Sequence, residues 1–321
     1  MARPPQQIDY RLLGKVSRLY YEDGYMQREI AERLHLSRPK VSRLLNQAKE
    51  EGLVQITIIP PSSSFTELES ELETKYNLQE VVITEVEAED PQAAVSQKIG
   101  AAAAEYLHRT QQDGDIMGIS WGTTLKAMVN ALQPSETRQI QIVQMIGGLG
   151  APEAEIHATA LCQRMAQILN AKLTLIPAPG IVDSQAVKQI LQADSHVQAA
   201  FNLFPAINVA YVGIGAPTPD SVLISDGSII QESELETLLQ LGAVGDIALR
   251  FFDNIGNAVV SELDERVIGI TLAEIAQIER VVGVTGGLQK TTTIQGALQG
   301  SWIDVLITDQ ITASQLLQEH L

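Results

Sequence analysis

The sequence has 321 residues, 45% of them hydrophobic, which is enough to build about two folded domains with sizeable cores. Its formal net charge of −17 argues against nucleic-acid binding by the chain as a whole, and a single cysteine excludes an internal disulfide or a metal site built on paired cysteines. No apolar run reaches the roughly 20 residues that span a bilayer, and the N-terminus lacks the apolar core of a signal peptide. We therefore expect a cytoplasmic protein with no membrane partner, no metal and no cofactor.

Charge divides the sequence at about residue 60. The first 60 residues contain ten basic and seven acidic side chains, whereas the rest contains 12 basic and 32 acidic ones. The basic N-terminal part is therefore a separate electrostatic unit, and the acidic remainder would help to orient it toward a polyanion.

Helical periodicity predicts two short helices in this basic part. Residues 11–21 place five apolar side chains on one face: Leu12, Leu13, Val16, Leu19 and Tyr20. A second helix over residues 24–34 has Ile30, Ala31 and Leu34 on its inner face, and the small Ala31 favours a close helix crossing. A short turn follows at residues 35–37.

A third helix is predicted to begin after Ser37, a good N-cap residue, because Pro39 is tolerated only in a first helical turn. Its outward face carries cationic and hydrogen-bonding side chains suited to a major groove: Arg38, Lys40, Ser42, Arg43 and Gln47. Residues 53–59 alternate apolar and polar side chains, and a strand there suits the wing of a winged helix-turn-helix. The alternative is a small helical bundle with a solvated charged face.

A proline- and serine-rich segment at residues 60–64 indicates a linker, because it can continue neither a strand nor a helix. Residues 65–78 then show helical spacing of apolar side chains. Such a helix either docks on the following domain or pairs with its copy in another subunit. We predict a DNA-binding domain at 1–60, a linker and amphipathic helix at 61–78, and an effector domain at 79–321.

The effector domain alternates apolar runs with helical stretches. Nine runs are rich in β-forming residues: 80–86, 115–120, 140–148, 172–179, 207–215, 243–252, 266–270, 280–287 and 303–309. Apolar strands separated by helices predict an α/β fold with a mainly parallel sheet covered on both faces. Ligands bind such sheets at the carboxyl ends of the strands, where several of these runs end in glycine-rich loops. One binding crevice is expected there.

The loop at residues 118–125, GISWGTTL, has the chemistry of an anion site. Its glycines allow a close backbone approach and its hydroxyls precede a helix whose first N–H groups are unpaired. The candidate residues are Gly118, Ser120, Gly122, Thr123 and Thr124.

A second loop, VTGGLQK at residues 284–290, repeats this chemistry. Gly286 and Gly287 end a strand, and Lys290 starts the next helix, where its ammonium could meet the same anion. Either loop alone fits a turn as well as a site, but together they predict a phosphate subsite. Neither has the pattern of a nucleotide-binding loop.

Asp246 lies at a Gly-Asp step, where it either accepts hydrogen bonds from sugar hydroxyls or caps a turn. The pattern leaves both roles open. Trp121 is expected to pack beneath the first anion loop, and His157 to cap or pack a helix near the pocket.

The segments 20–58, 118–125, 242–257 and 281–309, in this order, resemble the SorC family of sugar-binding transcriptional regulators. The resemblance covers about residues 10–320 and implies a Rossmann-like effector domain of the sugar-phosphate isomerase and deaminase type. It also implies a phosphorylated sugar as effector, operator DNA as partner, and a dimer or tetramer. By this resemblance Gly122, Thr123 and Thr124 cradle the phosphate, Lys290 pairs with it, and Asp246 faces the sugar.

An enzyme on the same scaffold is the rival interpretation. A sugar-phosphate isomerase or deaminase needs a positioned acid and base beside the phosphate. The deaminases carry an Asp-Gly-His segment after a glycine-rich strand end, and residues 212–221 here lack it. The acidic run of the isomerases is missing too. We therefore predict a non-enzymatic regulator of carbohydrate metabolism. The sequence leaves a repressor and an activator both open, and we take a repressor as the working prediction.

Overall fold

The computed structural model describes residues 9–56, 65–149, 158–218 and 230–318. Contacts divide the chain into two compact units, Met1–Ser64 and Phe65–Leu321. Within the described ranges, no helix is long and apolar enough to cross a membrane, and no cluster of His, Cys, Asp and Glu could hold a metal ion.

The described part of the N-terminal unit, residues 9–56, contains three helices: α1 (Tyr10–Tyr21), α2 (Gln27–Arg33) and α3 (Arg38–Glu50). Their inward faces share one small core of Val16, Leu19, Ile30, Ala31, Val41 and Leu45. The prediction for Tyr20 was wrong, because Tyr20 lies exposed in the last turn of α1 with its ring edge-on to Tyr21.

The third helix starts where the sequence predicts, with Ser37 in extended backbone at the N-cap and Pro39 in the first turn. The Ser37 side chain itself makes no capping hydrogen bond. The predicted wing strand is absent from residues 53–56, and its remainder lies outside the described residues.

The second unit is built on a seven-stranded sheet in which every pairing is parallel, with strand order β1-β9-β8-β5-β2-β3-β4. Its strands are β1 (Glu80–Thr84), β2 (Ile116–Ile119), β3 (Gln141–Gln144), β4 (Lys172–Thr174), β5 (Val209–Val212), β8 (Arg280–Val284) and β9 (Val305–Asp309). A separate antiparallel hairpin joins β6 (Gly245–Ile247) to β7 (Arg250–Phe252).

Two of the nine predicted runs do not join the main sheet. Residues 243–252 fold back on themselves, because Ala248 and Leu249 both adopt positive φ and form the two-residue turn of the hairpin. Residues 266–270 form only isolated bridges, in which Val267 pairs with Ile181 and Gly269 pairs with Ile146. Apolar composition alone does not distinguish these segments from strands of a parallel sheet.

Helices cover both faces of the sheet. The described helices of this unit are α4 (Thr66–Tyr76), α5 (Gln92–Thr110), α6 (Thr123–Ala131), α7 (Ala158–Ile168), α8 (Gln185–Gln192), α9 (Ser195–Phe201), α10 (Glu232–Gln240), α11 (Leu272–Ile275), α12 (Thr291–Gln299) and α13 (Gln310–Gln318). Alternate residues of β5 enter different cores, Ala210 and Val212 in one and Val209 and Tyr211 in the other. Cys162 of α7 is fully buried, and burial raises the pKa of its thiol to about 12, so it is a core residue.

Helix α4 packs on the sheet unit, as one of the two interpretations of residues 65–78 requires. Leu72 is fully buried, and the carboxylates of Glu69 and Glu73 accept hydrogen bonds from the backbone N–H groups of Ile83 (3.1 Å) and Val81 (2.9 Å). Asn77, in the left-handed conformation, ends the helix.

Candidate functional site

A cavity of about 580 Å³ opens where the strand order reverses. The chain runs from β2 outward to β3 and β4, then returns to place β5 on the other side of β2. Loops that follow neighbouring strands diverge at such a switch point and leave a crevice. Loops that follow β2, β5 and β8 line this cavity.

The loop after β2 contributes the start of a helix. Gly122 has a φ of 130° and is the N-cap of α6, a conformation that favours glycine. Thr123 and Thr124 form the first turn, and with Gly122 they line the cavity. Backbone N–H groups in this turn lack partners within the helix, so this wall of the cavity suits an anion.

The loop after β8 contributes a cation to the same cavity. A short 3-10 turn, Leu288–Lys290, carries the Lys290 ammonium to the lining, where it donates to the carbonyl of Ile214 at 3.4 Å. Gly287, with a φ of 103°, allows the sharp change of direction that precedes this turn.

Asp246 faces the cavity from the β6–β7 hairpin, and it is only 4% exposed. Its Oδ2 accepts a hydrogen bond from the N–H of Leu249 at 3.0 Å, across the hairpin turn. The N–H group of Gly215 donates to the Asp246 carbonyl, and the N–H group of Asp246 donates to the Gly215 carbonyl. A Cβ on Gly215 would lie 2.1 Å from the Asp246 carboxylate, so only glycine fits here. Asp246 therefore caps the turn and lines the cavity at once.

Burial shifts both charged groups of the cavity toward neutrality. It raises the pKa of Asp246 to about 6, although the Leu249 N–H and the Lys290 ammonium oppose the shift. Burial also lowers the pKa of Lys290, while the Asp246 carboxylate opposes that change. The two groups give the cavity a cationic part and a hydroxyl-accepting part.

Five of the nine predicted effector residues line this cavity: Gly122, Thr123, Thr124, Asp246 and Lys290. The other four lie behind the lining. Gly118 packs within β2 against Met145, and the hydroxyl of buried Ser120 accepts from the N–H of Gly213 at 3.1 Å. Gly286 packs against the Asp309 carboxylate, where a Cβ would not fit, and Gly287 packs against the end of the Gln92 side chain.

Sequence reasoning did not select several other lining residues, among them Gln92 and Gln289. The glycine-rich strand end VGIGAP, residues 212–217, belongs to the predicted crevice, and Gly213–Ala216 line the cavity, although no residue of this loop was a named candidate. Gln92, at the start of α5, is far away in sequence and carries no signal. Trp121, predicted to pack beneath the first loop, is 9% exposed and forms part of the lining. His157 and the rest of residues 150–157 lie outside the described residues.

The DNA-binding candidates lie on α3. Arg38, Lys40 and Arg43 are exposed, whereas Ser42 and Gln47 are half-buried. The Nε of Arg43 donates to the carbonyl of Pro39 at 3.4 Å. Three cations thus stand in water on the first two turns of a helix whose opposite face, with Val41 and Leu45, is buried.

Two family models match the chain. The Sugar-bind model, which describes a sugar-binding domain, matches residues 61–318, and a winged helix-turn-helix DNA-binding model matches residues 19–55. The chain is 35% identical over 319 residues to the deoxyribonucleoside regulator of Bacillus subtilis (strain 168), covering 99% of this chain and 100% of that protein. It is 32% identical over 318 residues to the sorbitol operon regulator of Klebsiella pneumoniae, covering 97% and 98%.

A solved structure extends these likenesses to the fold. The crystal structure of the full-length sorbitol operon regulator SorC from Klebsiella pneumoniae matches with a TM-score of 0.74 and 29% sequence identity. The match covers 97% of this chain and 100% of the other.

Proposed function

The chain belongs to the SorC family of sugar-binding transcriptional regulators, and we propose that a phosphorylated sugar in the described cavity controls its affinity for operator DNA. Like these relatives, it is a DNA-binding regulator and not an enzyme. We infer the chemical class of the effector from the residues that line the cavity.

One observation supports a phosphate group on the effector: the Lys290 ammonium and the first turn of α6 line the same cavity. A phosphate there would accept hydrogen bonds from the amides and hydroxyls of that turn. It would also add negative charge beside the Lys290 ammonium, which has the Asp246 carboxylate acting on its pKa. A neutral ligand would bring no negative charge to either feature.

Asp246 supports a sugar as the remainder of the ligand. An ionised carboxylate accepts hydrogen bonds from hydroxyl groups, and sugars and polyols present several of them. The volume of about 580 Å³ lies within the usual range of small-molecule sites. The names of the relatives, which refer to deoxyribonucleosides and sorbitol, agree with a sugar or polyol.

We assign the output of the switch to α3. In the proposal, Arg38, Lys40, Ser42, Arg43 and Gln47 contact the major groove of paired operator half-sites, each bound by one subunit of a cytoplasmic homodimer or homotetramer. The protein acts as a repressor, and the effector shifts the position of its DNA-binding helices. Thermodynamic linkage requires that an effector that weakens operator binding be bound more weakly by the DNA-bound protein.

The test is Lys290→Met, which removes the charge and keeps the stem of the side chain. Pentose and hexose phosphates are first screened by thermal shift, because a ligand of the folded state raises the melting temperature. We expect the variant to bind the best sugar phosphate about 10- to 100-fold more weakly, the usual loss for a charged hydrogen bond. Its affinity for the unphosphorylated sugar should stay the same.

The matched control is Lys172→Ala, at an exposed lysine of β4. Equal affinity of Lys290→Met and the parent for the sugar phosphate would place the phosphate elsewhere. Turnover of a bound sugar phosphate by the unsubstituted protein would support the isomerase or deaminase interpretation instead.

A further inference from the structure

A buried carboxylate lies directly behind the loop that carries Lys290. Asp309, the last residue of β9, is 1% exposed, and Thr312 in the first turn of α13 is fully buried. The N–H of Gly287 donates to Oδ2 of Asp309 (2.8 Å) and to the hydroxyl of Thr312 (2.9 Å). Two residues therefore fix one backbone amide of the candidate phosphate loop.

The same two residues form the N-terminal cap of α13. Oδ1 of Asp309 accepts from the N–H of Thr312 (2.8 Å), and Oδ2 accepts from its hydroxyl (2.7 Å). A Cβ on Gly286 would lie 2.4 Å from the Asp309 carboxylate, so the loop packs on the cap without a gap. A shift of the loop toward α13 must displace the helix as well.

The far end of α13 holds α4. The carbonyl of Leu316 accepts from the Lys75 ammonium (2.8 Å) and from the Tyr76 hydroxyl (3.0 Å), and the carbonyl of Leu317 accepts from Lys75 as well (3.3 Å). With nine residues, α13 is about 13 Å long. One end of α13 thus contacts the loop at residues 284–290 (the Lys290 loop), and the other end contacts the last turn of α4.

Helix α4 is the first element of the sheet unit, and residues 57–64 connect it in sequence to the DNA-binding unit. We propose that Asp309 and Thr312 are positioning residues that fix the Lys290 loop on α13, and that α13 couples occupancy of the phosphate subsite to α4. Because α4 leads to the DNA-binding unit, this coupling sets how strongly the effector changes operator affinity. The inference rests on the proposed function and adds its route within the sheet unit.

The route can be cut at its far end without touching the cavity. The double variant Lys75→Met/Tyr76→Phe removes the donors to α13 and keeps both side-chain bodies. The full chain is titrated with inorganic phosphate, pentose 5-phosphates and hexose 6-phosphates, alone and with duplex DNA from upstream of its own gene. We expect ligand affinity without DNA to stay within about twofold, whereas the ligand-induced change in DNA affinity falls at least about 5-fold, the lower bound of typical allosteric coupling.

Thr312→Val tests the near end. Loss of the hydroxyl should weaken binding of the best sugar phosphate several-fold more than binding of the unphosphorylated sugar, and Thr312→Ser should restore the difference. A purely structural role would lower the melting temperature and leave that ratio unchanged. Thr74→Val is the matched control on α4, because its hydroxyl donates to the Ser70 carbonyl of the same helix.

The outcomes separate the two proposals. A parent protein that binds none of the probes overturns the proposed function and this inference together. A parent whose DNA affinity responds to a probe, with an equal response in a folded Lys75→Met/Tyr76→Phe variant, overturns the inference alone. Loss of the response in that variant only, with Thr74→Val unchanged, supports it.

Discussion

The two units place the charges of their candidate binding residues in opposite surroundings. Arg38, Lys40 and Arg43 stand in water on a helix made by one short stretch of sequence. Asp246 and Lys290 lie in a cavity whose walls come from segments far apart in the chain, and burial shifts the pKa of both groups toward neutrality. The exposed cations of α3 therefore add little cost to folding, whereas the charges of the candidate effector site are held against an electrostatic penalty.

The units also differ in the size of their cores. The DNA-binding unit has one small cluster of buried apolar side chains, whereas the sheet unit has a large cluster on each face. Small domains bury a lower fraction of their surface and have a smaller margin of stability.

The largest expected effect follows from that margin. Ile30 is fully buried in the small core, and Ile30→Ala should remove about 2–5 kcal/mol from the free energy of unfolding of its unit. We expect helices α1–α3 to lose protection from hydrogen exchange and DNA binding to disappear, while sugar-phosphate binding persists. Hydrogen exchange followed by mass spectrometry reports on each unit separately. A uniform loss of protection in both units would show that they unfold together.

A smaller effect, confined to function, is expected from the exposed cations. Arg38→Ala/Arg43→Ala should weaken DNA binding roughly 100-fold or more and reduce the slope of affinity against salt by about 1–2. The melting temperature should hardly change, because both side chains stand in water. Titrations by fluorescence anisotropy at several salt concentrations measure this. The matched control is Arg164→Ala/Lys172→Ala, at two exposed cations of the sheet unit, and an equal loss there would indicate a nonspecific effect of charge.

The smallest expected effect is a gain in stability, on substitution of Asp246, whereas Ile30→Ala lowers stability. Because the folded-state pKa of Asp246 is about 6, above its ordinary value of 3.8, its contribution to stability is complete below pH 4 and is lost as the pH rises through 6. Asp246→Asn should therefore raise the free energy of unfolding by about 2–3 kcal/mol at pH 8 and leave it nearly unchanged at pH 4. Sugar affinity should fall in the same variant.

Urea denaturation at the two pH values measures the Asp246 effect, with Asp183→Asn at an exposed carboxylate as control. Destabilisation of Asp246→Asn at pH 8 would mean that the carboxylate contributes more through the Leu249 hydrogen bond than its burial costs.

The DNA-binding unit was predictable because its information is local. The spacing of Val41, Leu45 and Ala48 orients α3, and Pro39 fixes its first turn. The strands of the parallel sheet were predictable too, since strands buried on both faces read as apolar runs. The β6–β7 hairpin was not, because Ala248 and Leu249 are poor candidates for a turn that needs positive φ.

The candidate site was predictable in outline and not in its contacts. Glycine at a strand end signals close packing but does not name the neighbour. Gly122 faces the open cavity, whereas Gly286 packs against the Asp309 carboxylate. Gln92 reaches the lining from the start of α5, and only the three-dimensional arrangement brings it there. The role of each lining residue in binding stays a prediction.

The hydrogen bonds from Glu69 and Glu73 of α4 have a consequence for solubility. Strand β1 is an edge of the sheet, and the N–H groups of Val81 and Ile83 point away from β9. Unpaired groups of this kind are a template for a strand from another molecule. Here two carboxylates occupy them, and the opposite edge, β4, has only three residues. The helix that leads toward the DNA-binding unit thus also protects the sheet from growing by strand addition into aggregates.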